Sequence, residues 1–151
     1  MHRARIDDTL KTAMKAKQTH TVATVRLIKA ALKDRDIAAR SKGNHDGITD
    51  DEILSMLQSM IKQRRESVEM YEKGGRAELA EQEAGEITII ETFLPEQMDD
   101  KAVSGAIEEA IKEVEASSLK DMGKVMGILK QRFAGQMDFS KASAGVKAKL
   151  T

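Results

Sequence analysis

Apolar residues recur at helical spacing through most of this chain, and no segment alternates in the two-residue rhythm of a strand. That pattern leaves packed helices as the main way to bury them. Composition agrees: Leu, Ile, Ala and Met carry the apolar content and only 3% of residues are aromatic, a balance that disfavours sandwiches and barrels. With 151 residues, 40% of them hydrophobic, the chain can form one compact domain or two small ones. The expected fold is all-α: a bundle of long helices over residues 1–94, a hinge at 95–98 and a small three-helix tail over 99–151.

The first helix is predicted over about residues 3–17, with Ile6, Leu10, Ala13 and Met14 on one face. The second follows Gln18-Thr19-His20-Thr21. It gathers Val25, Ile28, Ala31, Leu32 and Ala39 on one arc and Arg26, Lys29, Lys33 and Arg40 on another, although Arg35 falls in the apolar arc and Val22 and Ile37 fall on the basic side. Thr49-Asp50-Asp51-Glu52 has capping-box spacing, so a long helix should start there. Its seam is Ile53, Leu57, Met60 and Tyr71, and Lys73-Gly74-Gly75 supplies a left-handed C-cap. A fourth helix should run from about Ala77 to Phe93 and stop at Pro95. Beyond it, Val103, Ile107, Ala110, Ile111 and Val114 predict a fifth helix. Leu119, Met122, Met126, Leu129 and Phe133 predict a sixth, and Asp138 can cap a last one burying Phe139, Ala142, Val146 and Leu150.

Cysteine is absent, which removes disulfides, iron–sulfur ligands and thiol nucleophiles. No apolar run approaches the roughly 18 residues of a membrane span. Met1-His2-Arg3-Ala4-Arg5 lacks the apolar stretch of a signal peptide, so the cytoplasm is the expected compartment and no membrane the expected setting. His2, His20 and His45 form no i, i+4 pair, and no phosphate-binding loop, nucleophile elbow or dinucleotide fingerprint occurs. No catalytic residue, cofactor or metal is expected, and an enzyme reading has no site to rest on.

The net charge of zero hides a pattern: +7 over residues 1–45, −12 over 46–115 and +5 over 116–151. Basic ends suit an anionic partner, or they neutralise the acidic middle within the fold. Two finer features bear on this choice. Arg64 lies at the angular centre of the third helix's apolar seam, and an antiparallel hairpin turning at Gly74-Gly75 sets it opposite Glu86. A register-fixing ion pair is one reading of Arg64, and an arginine kept for a phosphate or carboxylate is the other. Gly123 and Gly127 interrupt the sixth helix at up to about 1 kcal/mol each, outside its apolar stripe, on the flank with Lys120, Lys124 and Lys130. A phosphate backbone could approach such a face closely, or a neighbouring helix could cross it. Arg132 lies on the other flank. With two of three Phe in tail seams, backbone and shape contacts would outweigh base stacking.

Leu10-Lys11-Thr12-Ala13-Met14-Lys15, Gln63-Arg64-Arg65-Glu66-Ser67, Tyr71-Glu72-Lys73-Gly74-Gly75-Arg76, Leu94-Pro95-Glu96-Gln97-Met98 and Met122-Gly123-Lys124-Val125-Met126 together resemble the YqeY family. That family is similar to the C-terminal part of the GatB subunit of the glutamine-dependent aspartyl/glutamyl-tRNA amidotransferase, whose tail helps hold tRNA and carries no catalytic residue. The resemblance implies a helical bundle with a three-helix tail. It implies tRNA or another structured RNA as partner, and the charge pattern supplies the candidate phosphate contacts: Lys120, Lys124, Lys130 and Arg132 of the tail and Arg26, Lys29, Lys33 and Arg40 of the second helix. Where the family commonly has a basic residue after the tail glycine, this chain has Gly135-Gln136, one candidate phosphate contact fewer. A helical adaptor for a protein partner, or an accessory factor to an amidotransferase, are the competing readings.

Overall fold

A computed structural model describes all 151 residues. Seven α-helices run in order: α1 His2–Lys15, α2 Thr19–Ser41, α3 Asp50–Lys73, α4 Ala77–Glu91, α5 Asp100–Glu113, α6 Met122–Arg132 and α7 Phe139–Leu150, with a 3-10 turn at Leu119–Asp121 before α6. There is no strand. The chain divides into two compact units, Met1–Leu94 and Pro95–Thr151.

In the first unit, Ile6 from α1, Val25 and Ile28 from α2, Ile53, Met56 and Leu57 from α3 and Ile90 from α4 are essentially inaccessible to solvent. The α3 stripe is wider than the seam read from sequence, because Leu54, Met56 and Ile61 are buried as well. The Thr49 capping box forms in both directions, with Glu52 N donating to Thr49 Oγ1 and Thr49 N to Glu52 Oε1. Of the two glycines closing α3, Gly75 takes the left-handed conformation (φ 72°) while Gly74 does not. α1 ends two residues earlier than expected. Lys17, at φ 57°, is the left-handed residue that closes it, as Gln18 N donates to Ala13 O. Met14, about 80° round the helix from Ile6, lies at the edge of the buried arc and is half exposed, against the expectation of an apolar-face residue. α4 stops at Glu91 instead of Phe93, with Thr92 still helical in backbone as its C-cap and Pro95 disfavouring helix at Leu94. Thr92, Phe93 and Leu94 continue as hydrogen-bonded turns with Phe93 buried.

The loop after α2 is fastened by charge. The Arg3 guanidinium donates to both Asp36 oxygens at 2.7 and 2.8 Å and to Ile48 O at 2.9 Å, while Ile48 N donates to Asp36 Oδ1 at 2.9 Å. The Arg3 hydrogen bonds hold the Asp36 carboxyl at about 2. Gly47 passes so near this clamp that a Cβ there would lie 2.7 Å from Arg3 Nη2.

In the second unit, Ile107 and Ala110 of α5, Val125 and Leu129 of α6, and Ala142 and Val146 of α7 form the core. Asp99 caps α5 by accepting from Ala102 N, and Asp138 caps α7 by accepting from Ser140 N and Lys141 N. The sixth helix departs from its predicted stripe. Leu119 is exposed and Val125 is fully buried. Leu119 is out of phase because it lies in the 3-10 turn: Ser117 N and Ser118 N donate to Asp121 Oδ2, the turn winds with three residues per repeat, and α6 starts only at Met122. Residues 97 and 98 are held within this unit, since Gln97 Nε2 donates to Gly135 O at 2.6 Å and Met98 N to Gln136 O at 2.9 Å.

Candidate nucleic-acid interface

α6 buries Val125 and Leu129, so its opposite face is turned to solvent. With Gly123 as zero and about 100° per residue, Lys130 falls near −20°, Gly127 near 40° and Lys124 near 100°. Lys120 stands in the 3-10 turn just before. All five residues are exposed, and none of the three lysines enters a salt bridge. Lys124 reaches nearby charge only as a minor influence on Asp121, whose carboxyl is lowered first by the Ser117 N–H.

The glycines settle one alternative. A Cβ built on Gly123 or Gly127 meets nothing within 4 Å, so no helix of this unit crosses there. The crossing glycine is Gly145, whose Cβ would sit 3.1 Å from Ile107 Cδ1 where α7 passes α5. Gly85 in α4 and Gly105 in α5 are also open, so an open glycine is no signal by itself. What sets α6 apart is the conjunction: two open glycines inside a patch of three unpaired lysines. The helix neighbours of Gly85 include Glu81, and those of Gly105 include Glu108 and Glu109 as well as Lys101.

Other candidate cations divide by pairing. Arg132 donates to Glu113 at 2.5 Å, holding that carboxyl below its usual range. Its charge is thus engaged in tying α6 to α5. Lys29 is bound to Asp7 at 2.8 Å. Arg26, Lys33 and Arg40 are exposed on α2 and form no salt bridge, and they belong to the first unit.

Arg64 and Glu86 meet. Arg64 Nε donates to Glu86 Oε2 at 2.8 Å, Glu83 Oε2 lies 4.0 Å away, and Arg64 Nη1 donates to Met60 O at 3.3 Å. The Arg64 and Glu86 side chains are only 14% and 18% exposed, so the guanidinium is committed inside the hairpin and is not presented to a ligand. Burial and the neighbouring Glu86 charge raise the Glu83 carboxyl. The Arg3–Asp36–Ile48 clamp was absent from the sequence reading, since its partners lie 33 and 45 residues apart and neither stands at a position that periodicity singles out.

The profile of the family described as Yqey-like protein matches residues 3–150. The chain belongs to the YqeY family. Among curated relatives, the Lachancea thermotolerans protein named "Altered inheritance of mitochondria protein 41, mitochondrial" is 30% identical over 127 residues, covering 80% of this chain and 66% of its own length. The Eremothecium gossypii protein of the same name is 34% identical over 92 residues, 60% of this chain and 48% of that one. An uncharacterised Schizosaccharomyces pombe protein is 30% identical over 84 residues, 56% of this chain and 64% of its own. This chain therefore spans between about half and two thirds of those relatives. Two of the names place their proteins in mitochondria. No helix of this YqeY-family chain is long and apolar enough to cross a membrane.

Proposed function

We propose that this YqeY-family protein binds tRNA or another structured RNA through the exposed face of α6, as a binding protein without chemistry of its own. We propose the cytoplasm as the compartment, where tRNA is abundant. One observation carries the reading: α6 retains two helix-weakening glycines that no packing requires, within a patch of three unpaired lysines. A Cβ-free strip lets a sugar–phosphate backbone approach the helix closely, and lysines at its borders supply the counter-charge. Resemblance to the tRNA-holding tail of the amidotransferase subunit supports the same ligand class. The α2 cations edge a partly apolar strip, so the proposal rests on α6 alone.

The test is fluorescence anisotropy of total tRNA with the purified chain at two salt concentrations, against a double-stranded DNA control. The expected result is salt-dependent binding that prefers tRNA. Affinity for Z phosphates should fall on a log–log plot with a slope of about −0.7Z to −0.9Z, and Lys124→Glu with Lys130→Glu should weaken binding with the fold intact. Absence of binding at low salt, or affinity unchanged in the double variant, would contradict the proposal.

A further inference from the structure

α2 is apolar on two sides. One side carries Val25, Ile28 and Leu32 into the core. On the other, Ala23, Leu27, Ala30, Asp34, Ile37 and Ser41 are all exposed, Leu27 and Ile37 at 44% and 50%. Their steps alternate four, three, four, three and four residues, which is the spacing of a coiled-coil seam. Setting Arg26 to zero at about 100° per residue, the six lie between about 20° and 100°, well away from the buried arc centred near 210°. Leu27, Asp34 and Ser41 are then a positions, and Ala23, Ala30 and Ile37 are d positions.

The flanks of this seam are unequal. The three g positions are Arg26, Lys33 and Arg40, all exposed and in no salt bridge, spaced about 10.5 Å apart at 1.5 Å rise per residue. The three e positions are Thr24, which is buried, Ala31, which packs partly against the core, and the exposed Ala38. The geometry points to α2 as a docking surface for a helix of another protein that presents a small apolar seam flanked by Asp and Glu. Charge decides between occupants. A second copy of this helix packed antiparallel sets g against g and brings three cations onto three cations, and a parallel copy sets them against uncharged e residues. Neither arrangement uses the charge, whereas an acidic flank answers all three cations at once. RNA is disfavoured here because the centre of the strip is apolar and contains the Asp34 carboxylate. Asp34, alone among the a positions in carrying charge, asks for a lysine or amide opposite it and so fixes the register. This inference is independent of the α6 reading, since the two faces belong to different units.

The experiment titrates the full isotopically labelled chain with two synthetic four-heptad helical peptides. Both have a Leu/Ala seam and one Lys placed to face Asp34; one has Glu at every e and g position and the other Lys. Shifts in the amide spectrum locate the contact. The acidic peptide is expected to bind at least about tenfold tighter than the basic one, with shifts confined to residues 19–41. Lys33→Glu with Arg40→Glu should invert that preference, and Ile37→Asp should abolish binding of the acidic peptide while α-helical circular dichroism stays unchanged. Equal affinity for the two peptides, or shifts elsewhere, would overturn the proposal. So would tRNA displacing the acidic peptide from α2, or concentration-dependent self-association that Ile37→Asp removes.

Discussion

The α3–α4 hairpin and α6 both carry basic side chains on helices, but they use charge in opposite ways. In the hairpin, Arg64 is turned inward and bound to Glu86, with Glu83 beside it, so charge specifies which residues face each other. On α6, Lys120, Lys124 and Lys130 are turned outward and unpaired, around glycines that nothing touches. The first arrangement is satisfied within the chain; the second leaves its cations to solvent. Removing a charge should therefore damage folding in the hairpin and binding on α6.

The largest expected effect is in the hairpin. Arg64→Ala leaves Glu86 and Glu83 partly buried without their cation and should cost about 3 kcal/mol in urea unfolding. Arg64→Met with Glu86→Leu should recover most of that loss, because the pair is then replaced by apolar contact. A double variant as unstable as Arg64→Ala would show that the charges do more than set register.

Next is the Arg3–Asp36 clamp. Asp36→Asn should cost about 2 kcal/mol at pH 7, the scale of a charge-assisted hydrogen bond. Hydrogen bonds with Arg3 hold the folded Asp36 carboxyl at about 2, below the usual carboxylate value of 3.8. Its stabilisation is thus fully present above pH 4 and is lost as pH falls through about 2, so wild type and Asp36→Asn should converge over that interval in acid-dependent thermal melts. Glu83 has the opposite sign: its carboxyl is raised, the ionised form is disfavoured in the fold, and stability rises as pH falls through its folded value. Glu83→Gln should accordingly leave neutral-pH stability unchanged or higher.

A smaller effect sharpens the contrast from the α6 side. Gly127→Ala is expected to stabilise by about 1 kcal/mol, since alanine is the better helix former and open space awaits its Cβ. Gly85→Ala in α4 and Gly105→Ala in α5 should stabilise similarly. Only the α6 change should reduce tRNA binding, because Gly127 lies between Lys124 and Lys130 with no acidic residue one turn away, whereas Gly105 has Lys101 one turn before it but Glu108 and Glu109 one turn after.

Most of the helical layout was legible in the sequence because it follows from local rules: period, caps and glycine stops. The Arg64–Glu86 contact was legible too, since a hairpin about a fixed turn makes partner numbers sum to a constant. What sequence left open was tertiary. Met14 lies at the edge of the α1 apolar arc, where period alone does not decide exposure, and Leu119 falls in a 3-10 turn outside the α-helical phase. The Arg3 clamp joins residues whose pairing no local pattern encodes. Arg132 and Lys29 looked like free cations until Glu113 and Asp7 were placed beside them. For Gly123 and Gly127, spacing was equally compatible with a helix crossing, and only the empty space over them excludes it.

The most direct measurement compares wild type with the Gly123→Ala, Gly127→Ala double variant in two assays, urea unfolding and tRNA anisotropy at low salt. If α6 keeps its glycines for a ligand, the variant should be more stable by about 1–2 kcal/mol and should bind tRNA about tenfold or more weakly. Greater stability with undiminished tRNA affinity would contradict the account.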